Sequence, residues 1–121
     1  MQKSFSDLSY KIKKSFNPKF IVEIGSNDGA FIKNFNRNHI VGVEPCKNLA
    51  LITKKKNYKT FAEYWSLNLA KKITKKKKKD LIYSANTLSH IKNFNGIFKG
   101  ITSALSEKGI LLLSSTRTDD G

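Results

Sequence analysis

The stretch Ile21–Phe31, IVEIGSNDGAF, constrains the fold more than any other part of the chain. An apolar run broken only by Glu23 reads as a strand covered on both faces. Gly25 and Gly29 then bracket Ser, Asn and Asp, after which helical spacing resumes through Phe31, Ile32 and Phe35. Strand, glycine loop and helix in that order open a parallel-sheet unit.

The rest of the chain repeats the alternation. Phe5, Leu8, Ile12 and Phe16 form a helical stripe that Asn17-Pro18 ends. Ile40–Val43 is a second short strand, closed by Glu44-Pro45, and Asn48–Thr53 a second helix. Lys59–Phe61 is a weakly signalled third strand, Leu67–Lys77 an amphipathic helix with a basic face, and Asp80–Ser84 a fourth strand. Phe94, Ile97, Phe98, Ile101 and Leu105 make a helical stripe, with Gly109 at the place where glycine ends helices. Ile110–Leu113 is the fifth strand. The expected fold is therefore α/β, a Rossmann-like doubly wound and mostly parallel sheet of about five strands. The segments divide as an N-terminal helix (residues 1–19), a core (20–115) and a polar tail (116–121).

At 121 residues, the chain suffices for one modest domain, and 39% hydrophobic content supports a packed core. The net charge of +14 invites a nucleic-acid reading. Against it, arginine occurs only at Arg37 and Arg117, whereas base and phosphate recognition leans on arginine. Compositional drift towards Lys and Asn accounts for the charge more simply, and the run Lys75–Lys79 reads as a solvated loop. A single cysteine, Cys46, excludes an internal disulfide and a cysteine-rich zinc site. With no signal-like or membrane-length apolar run, a cytoplasmic setting is the expectation.

In doubly wound sheets a ligand sits at the carboxyl ends of the strands, beside the first glycine turn. Glu44, 19 positions after Gly25, closes the second strand where an acid can accept both hydroxyls of a ribose. A dinucleotide wants G-x-G-x-x-G with a pyrophosphate over the loop. Here Asn27 replaces the middle glycine and Asp28 follows it, a charge that opposes phosphate. S-adenosylmethionine carries a sulfonium and an ammonium instead of phosphate, so Glu23 and Asp28 suit it; Asp28 also reads as a helix N-cap.

Three segments, VEIGSNDG (Val22–Gly29), GVEPCKNLA (Gly42–Ala50) and ANTLSHI (Ala85–Ile91), resemble the class I S-adenosylmethionine-dependent methyltransferases that methylate carbon in nucleotide-linked deoxysugars. The resemblance covers roughly Phe20–Ser115. It implies that Glu23, Gly25, Asn27 and Gly29 line the methionine end of S-adenosyl-L-methionine, that Glu44 holds the ribose, and that Phe61-Ala62-Glu63 lies near the adenine. Asn86 would sit under the cofactor. Methylation at carbon implies a base beside a keto group, and His90 is the candidate for that proton transfer. Plainer readings stand beside these: Asn86 as a turn residue, Glu63 as an exposed acid at a helix start, His90 as a helix-start histidine bonded to backbone.

The family's cysteine-rich N-terminal zinc region, its Tyr/Glu/His motif after the fifth strand, its C-terminal domain and the last strands of the class I sheet have no counterpart here. The expectation is thus a truncated or split (sugar) C-methyltransferase-like enzyme, acting on a nucleotide-linked keto-deoxysugar and completed by a complementary chain. Two alternatives stay open, a non-catalytic remnant or interaction module of the same fold, and an RNA-directed methyltransferase or RNA-binding protein.

Overall fold

The computed structural model describes residues 5–85 and 94–114. The described residues form five strands and four α-helices, in the order α1 (Phe5–Ser15), β1 (Ile21–Ile24), β2 (Ile40–Val43), α2 (Lys47–Lys55), β3 (Lys59–Phe61), α3 (Leu67–Ile73), β4 (Lys79–Ala85), α4 (Phe94–Ala104) and β5 (Leu105–Ser114). The strands form one sheet in the order β3-β2-β1-β4-β5, and every neighbouring pair is parallel. Strands β1 and β2 are the first and second read from sequence, yet the chain next crosses to β3 and returns to place β4 on the other side of β1. The strand order therefore reverses at β1, and Ile24, Val43 and Ser84 bring their carboxyl ends to one edge, as Ile24 pairs with both Val43 and Ser84.

Alternation along the buried strands divides the core between two faces. Val22, Ile24, Val43 and Ile82 pack with Trp65, Leu69 and Ala70 around α3 and with Ile97, Ile101 and Ala104 of α4. Ile21, Ile40, Leu81 and Tyr83 pack on the opposite face with Ile12 of α1, Phe31, Ile32, Phe35 and Tyr58. The Phe31 ring stacks on Tyr83 at 4.3 Å, which seats the segment after the glycine loop against β4. Trp65 ties α3 to α4 by donating its indole N–H to the Ile97 carbonyl at 3.2 Å, across a contact that leaves no room for a side chain at Gly100. No helix among the described residues is long and apolar enough to cross a membrane.

Besides α3 stopping at Ile73 and not at Lys77, three local expectations change. Residues 30–35 do not continue as an α-helix; only a 3₁₀ turn forms over Ile32–Asn34. The Asn34 amide donates to the carbonyls of Ala30 and Phe31 at 3.1 Å each, and Tyr58 Oη donates to those of Phe35 and Lys33, so side chains occupy the acceptors a further helical turn would use. Gly109 does not close α4. The helix ends at Ala104 and Leu105 enters β5 at once, pairing with Lys79, while Ile110 pairs with Leu81. Gly109 lies in the bulge between those pairs, where a Cβ would come within 2.9 Å of the Lys79 carbonyl. Lastly, Lys79 is not part of a solvated loop. It begins β4 and is buried, whereas Lys75 to Lys78 are exposed.

Candidate functional site

The glycine loop after β1, Gly25–Gly29, is held by positive backbone φ at three of its five residues: Gly25 at 79°, Asn27 at 56° and Gly29 at 92°. Glycine reaches such angles without steric cost, and asparagine is the next most tolerant residue. The turn closes through Gly29 N–H to Ser26 O at 3.0 Å, while Gly25 and Ser26 both donate to the Val43 carbonyl at 2.7 and 3.1 Å. The loop is thereby fastened to the end of β2. Two glycines make the fit tight: a Cβ at Gly29 would sit 2.6 Å from Thr53 Cγ2, and one at Gly42 would sit 2.7 Å from Ser26 Oγ.

Glu44, the first residue after β2, joins two loops. Its Oε1 accepts the Asn27 N–H at 2.8 Å and its Oε2 the Cys46 N–H at 2.9 Å, while its own N–H donates to Phe61 O at 2.9 Å. Each carboxylate oxygen keeps a second lone pair for a hydroxyl donor. The carboxylate that the sequence assigns to a ribose thus also shapes the glycine loop.

Glu23 lies in the centre of β1, paired with Gly42 and Tyr83, and only 3% exposed. Its Oε1 has no hydrogen-bond partner among the described residues, nor do the buried hydroxyls of Ser26 and Ser84. Burial pushes the Glu23 carboxyl well above its ordinary range, and the charges of Glu44 and then Asp28 push it the same way. A buried acid with an unfilled acceptor beside two further carboxylates is an environment that favours a positive ligand group and opposes a phosphate. This holds in a chain whose net charge is +14, so the acidic character is local to the loop.

Asp28 is exposed, and its Oδ1 accepts the Ala30 N–H at 3.2 Å. It caps a turn two residues on, not an α-helix, since none follows. Glu63 is exposed and paired with Lys72 at 3.3 Å, two residues beyond the strand end that bonds Glu44. Between them Phe61 is half-buried, with the Lys59 and Lys72 ammonium groups over its ring at 5.7 and 5.6 Å. The structure therefore brings Glu23, Gly25, Asn27, Asp28, Gly29 and Glu44 together at one edge of the sheet and leaves Glu63 at its margin. Asn86 and His90 lie outside the described residues. Ser26 and Ser84 went unread in the sequence, where a serine in a loop or strand carries no signal that its hydroxyl will be buried without a partner.

A family model described as a methyltransferase domain matches residues 2–121. The C-methyltransferase NovU of Streptomyces niveus is 26% identical over 96 residues, which cover 77% of this chain and 23% of that protein. The plantazolicin methyltransferase BpumL, solved with a monoazolic desmethylPZN analog and SAH, superposes with a TM-score of 0.67 at 14% identity, over 90% of this chain and 44% of its own. An S-adenosylmethionine-dependent methyltransferase from Clostridium acetobutylicum gives a TM-score of 0.65 at 16% identity, over 90% and 48%. The chain spans about a quarter of the curated relative and somewhat under half of the two solved chains.

Proposed function

This chain belongs to the methyltransferase domain family, and from that premise we propose that its glycine-loop edge binds S-adenosyl-L-methionine for transfer of a methyl group to carbon. The observation that carries the reading is the buried Glu23 carboxylate with its unfilled oxygen, beneath a loop whose acids repel phosphate. The residues present fit such a cofactor. Glu23 offers an acceptor to a cationic methionine end, Gly25 and Asn27 open the backbone above it, and the free lone pairs of Glu44 suit ribose hydroxyls. Ser26 and Ser84 add two unfilled hydroxyls nearby in the fold.

When bound, S-adenosylmethionine supplies an electrophilic methyl on a sulfonium. Glu23 neutralises part of the positive charge, Glu44 fixes the loop on which the ligand rests, and Phe61 supplies an apolar surface at the end of β3. The match to a C-methyltransferase supports carbon as the acceptor, and the family resemblance of the Val22–Gly29, Gly42–Ala50 and Ala85–Ile91 segments supports a carbon beside a keto group of a nucleotide-linked sugar. On that reading His90 takes the proton from the carbon before it attacks the methyl. Parts that a longer relative carries would complete the acceptor side, supplied by further chain or by a partner chain.

Calorimetric titration of S-adenosylmethionine and S-adenosylhomocysteine tests the reading. Both bind saturably to one site, and Glu23→Gln weakens the sulfonium-bearing ligand more than its neutral thioether. A well-folded sample that binds neither ligand refutes it.

A further inference from the structure

At the amino ends of the strands, opposite the glycine loop, lies a recess of about 410 Å³ whose lining includes Phe20, Arg37, His39, Asn57, Lys59 and Lys79. We propose that it is a binding site for a compact phosphate-type anion such as pyrophosphate, held chiefly by Lys79 and Arg37. Lys79 is 8% exposed, and among the described residues its ammonium has no hydrogen-bond or ion-pair partner. The neighbouring acid offsets its charge only in part. Asp80 is already committed, its two carboxylate oxygens accepting the backbone N–H groups of Lys19 and Phe20 at 3.0 Å each. An ammonium that is partly desolvated and lacks an ion pair is costly, and a counter-charge arriving in the recess would offset that cost.

The surroundings supply more positive charge. Arg37 is held in place by donating Nε to the Lys56 carbonyl at 2.7 Å and by lying over the Tyr58 ring at 5.2 Å. The rest of its guanidinium N–H donors remain for an oxyanion, in the planar fork that suits phosphate. Lys59 stands close enough to Lys79 to lower its proton affinity, in addition to the effect of burial, and Asp80 only partly opposes this. Lys77 lies over the Phe20 ring at 5.3 Å, on the rim. Arg37, Lys59, Lys79 and a histidine line the recess with no acid among its lining residues, which favours a ligand carrying several negative charges over a monocarboxylate. A recess of this size around the Lys79 amine also fits a compact group better than an extended single strand, which needs a long track with stacking rings.

Titrating sodium pyrophosphate into the full chain at constant ionic strength tests the site by calorimetry and by melting temperature. Saturable one-site binding that raises the melting temperature is expected, weakened about ten-fold or more in Lys79→Met and in Arg37→Gln, each of which removes a charge-assisted contact. Without pyrophosphate, Lys79→Met melts higher than the wild type because a partly desolvated charge without an ion pair is gone. Arg37 is exposed, so its variant reports on the site even if Lys79→Met folds poorly. Absence of saturable binding, or binding unchanged in both variants, overturns the proposal. So does loss of affinity in Glu44→Gln with none in Lys79→Met, which places the anion at the glycine loop. Tight binding of a single-stranded RNA that pyrophosphate does not displace overturns it too.

Discussion

Replacing Glu44 by glutamine separates the two tasks assigned to that carboxylate. In the wild type its oxygens accept two backbone N–H groups, from Asn27 at 2.8 Å and Cys46 at 2.9 Å. Hydrogen bonds to a charged group contribute about 1.5–3 kcal/mol each, and neutral ones about 0.5–1.5 kcal/mol. Glutamine keeps one acceptor, so one bond is lost, the other falls to neutral strength, and one backbone N–H faces an amide NH₂. The sum is about 3 kcal/mol. At mildly acid pH Glu23 keeps its proton and does not repel Glu44, so the net loss there stays at about 3 kcal/mol. In a domain of this size that lowers the melting temperature by roughly 10 °C.

Circular-dichroism melts and urea unfolding of both proteins between about pH 5 and pH 8 give the readout. The pH trend carries a sign. Glu23 holds its proton above the ordinary 4.5, chiefly through burial and secondly through Glu44. In that window the native state binds more protons than the unfolded chain, so wild-type stability falls as pH rises from 4.5 towards the folded value. Without the Glu44 charge the folded value drops and the fall is shallower. The gap between wild type and Glu44→Gln therefore narrows as pH rises. A variant within about 0.5 kcal/mol of wild type at pH 5 would show that the two N–H groups are satisfied without the carboxylate, and a widening gap would refute the electrostatic coupling.

Glu23→Gln removes the titrating group itself, so its stability stays flat where the wild type's declines above pH 4.5, and its unliganded form melts higher at neutral pH; parallel declines in the two proteins would contradict the assignment. Gly29→Ala places a Cβ 2.6 Å from Thr53 Cγ2 on a backbone at φ 92°. A loss of about 2–5 kcal/mol is expected in urea unfolding from left-handed strain and overpacking together, and a loss below about 1 kcal/mol would mean that α2 gives way freely.

Much of the fold is legible along the chain. The ranges of β2 and β3 match their sequence readings, and β1, α1, α2 and β4 differ by a residue or two at their ends. Short apolar runs and helical stripes report on the chain's own neighbours, which is the information that periodicity contains. Other readings failed where side chains or a neighbouring strand took the backbone groups that a helix needed. Asn34 and Tyr58 took the carbonyls that residues 30–35 needed for a helix, and pairing with Lys79 drew Leu105 out of α4 and into β5.

By itself the sequence determined that the first strand runs into a glycine loop with acids at Glu23, Asp28 and Glu44, and that the alternation builds a parallel α/β sheet. Only the tertiary structure decided what those charges experience. Glu23 is perturbed because β2, β4 and the loop enclose it beside Glu44, and Glu44 is a clasp because Asn27 and Cys46 converge on it from two loops. Lys79 differs from the four lysines before it only because β4 begins there and carries it under the strand ends, away from solvent. Residue type sets the available charge, but desolvation and partners are properties of the space around a group, and that space is assembled from segments far apart in the chain.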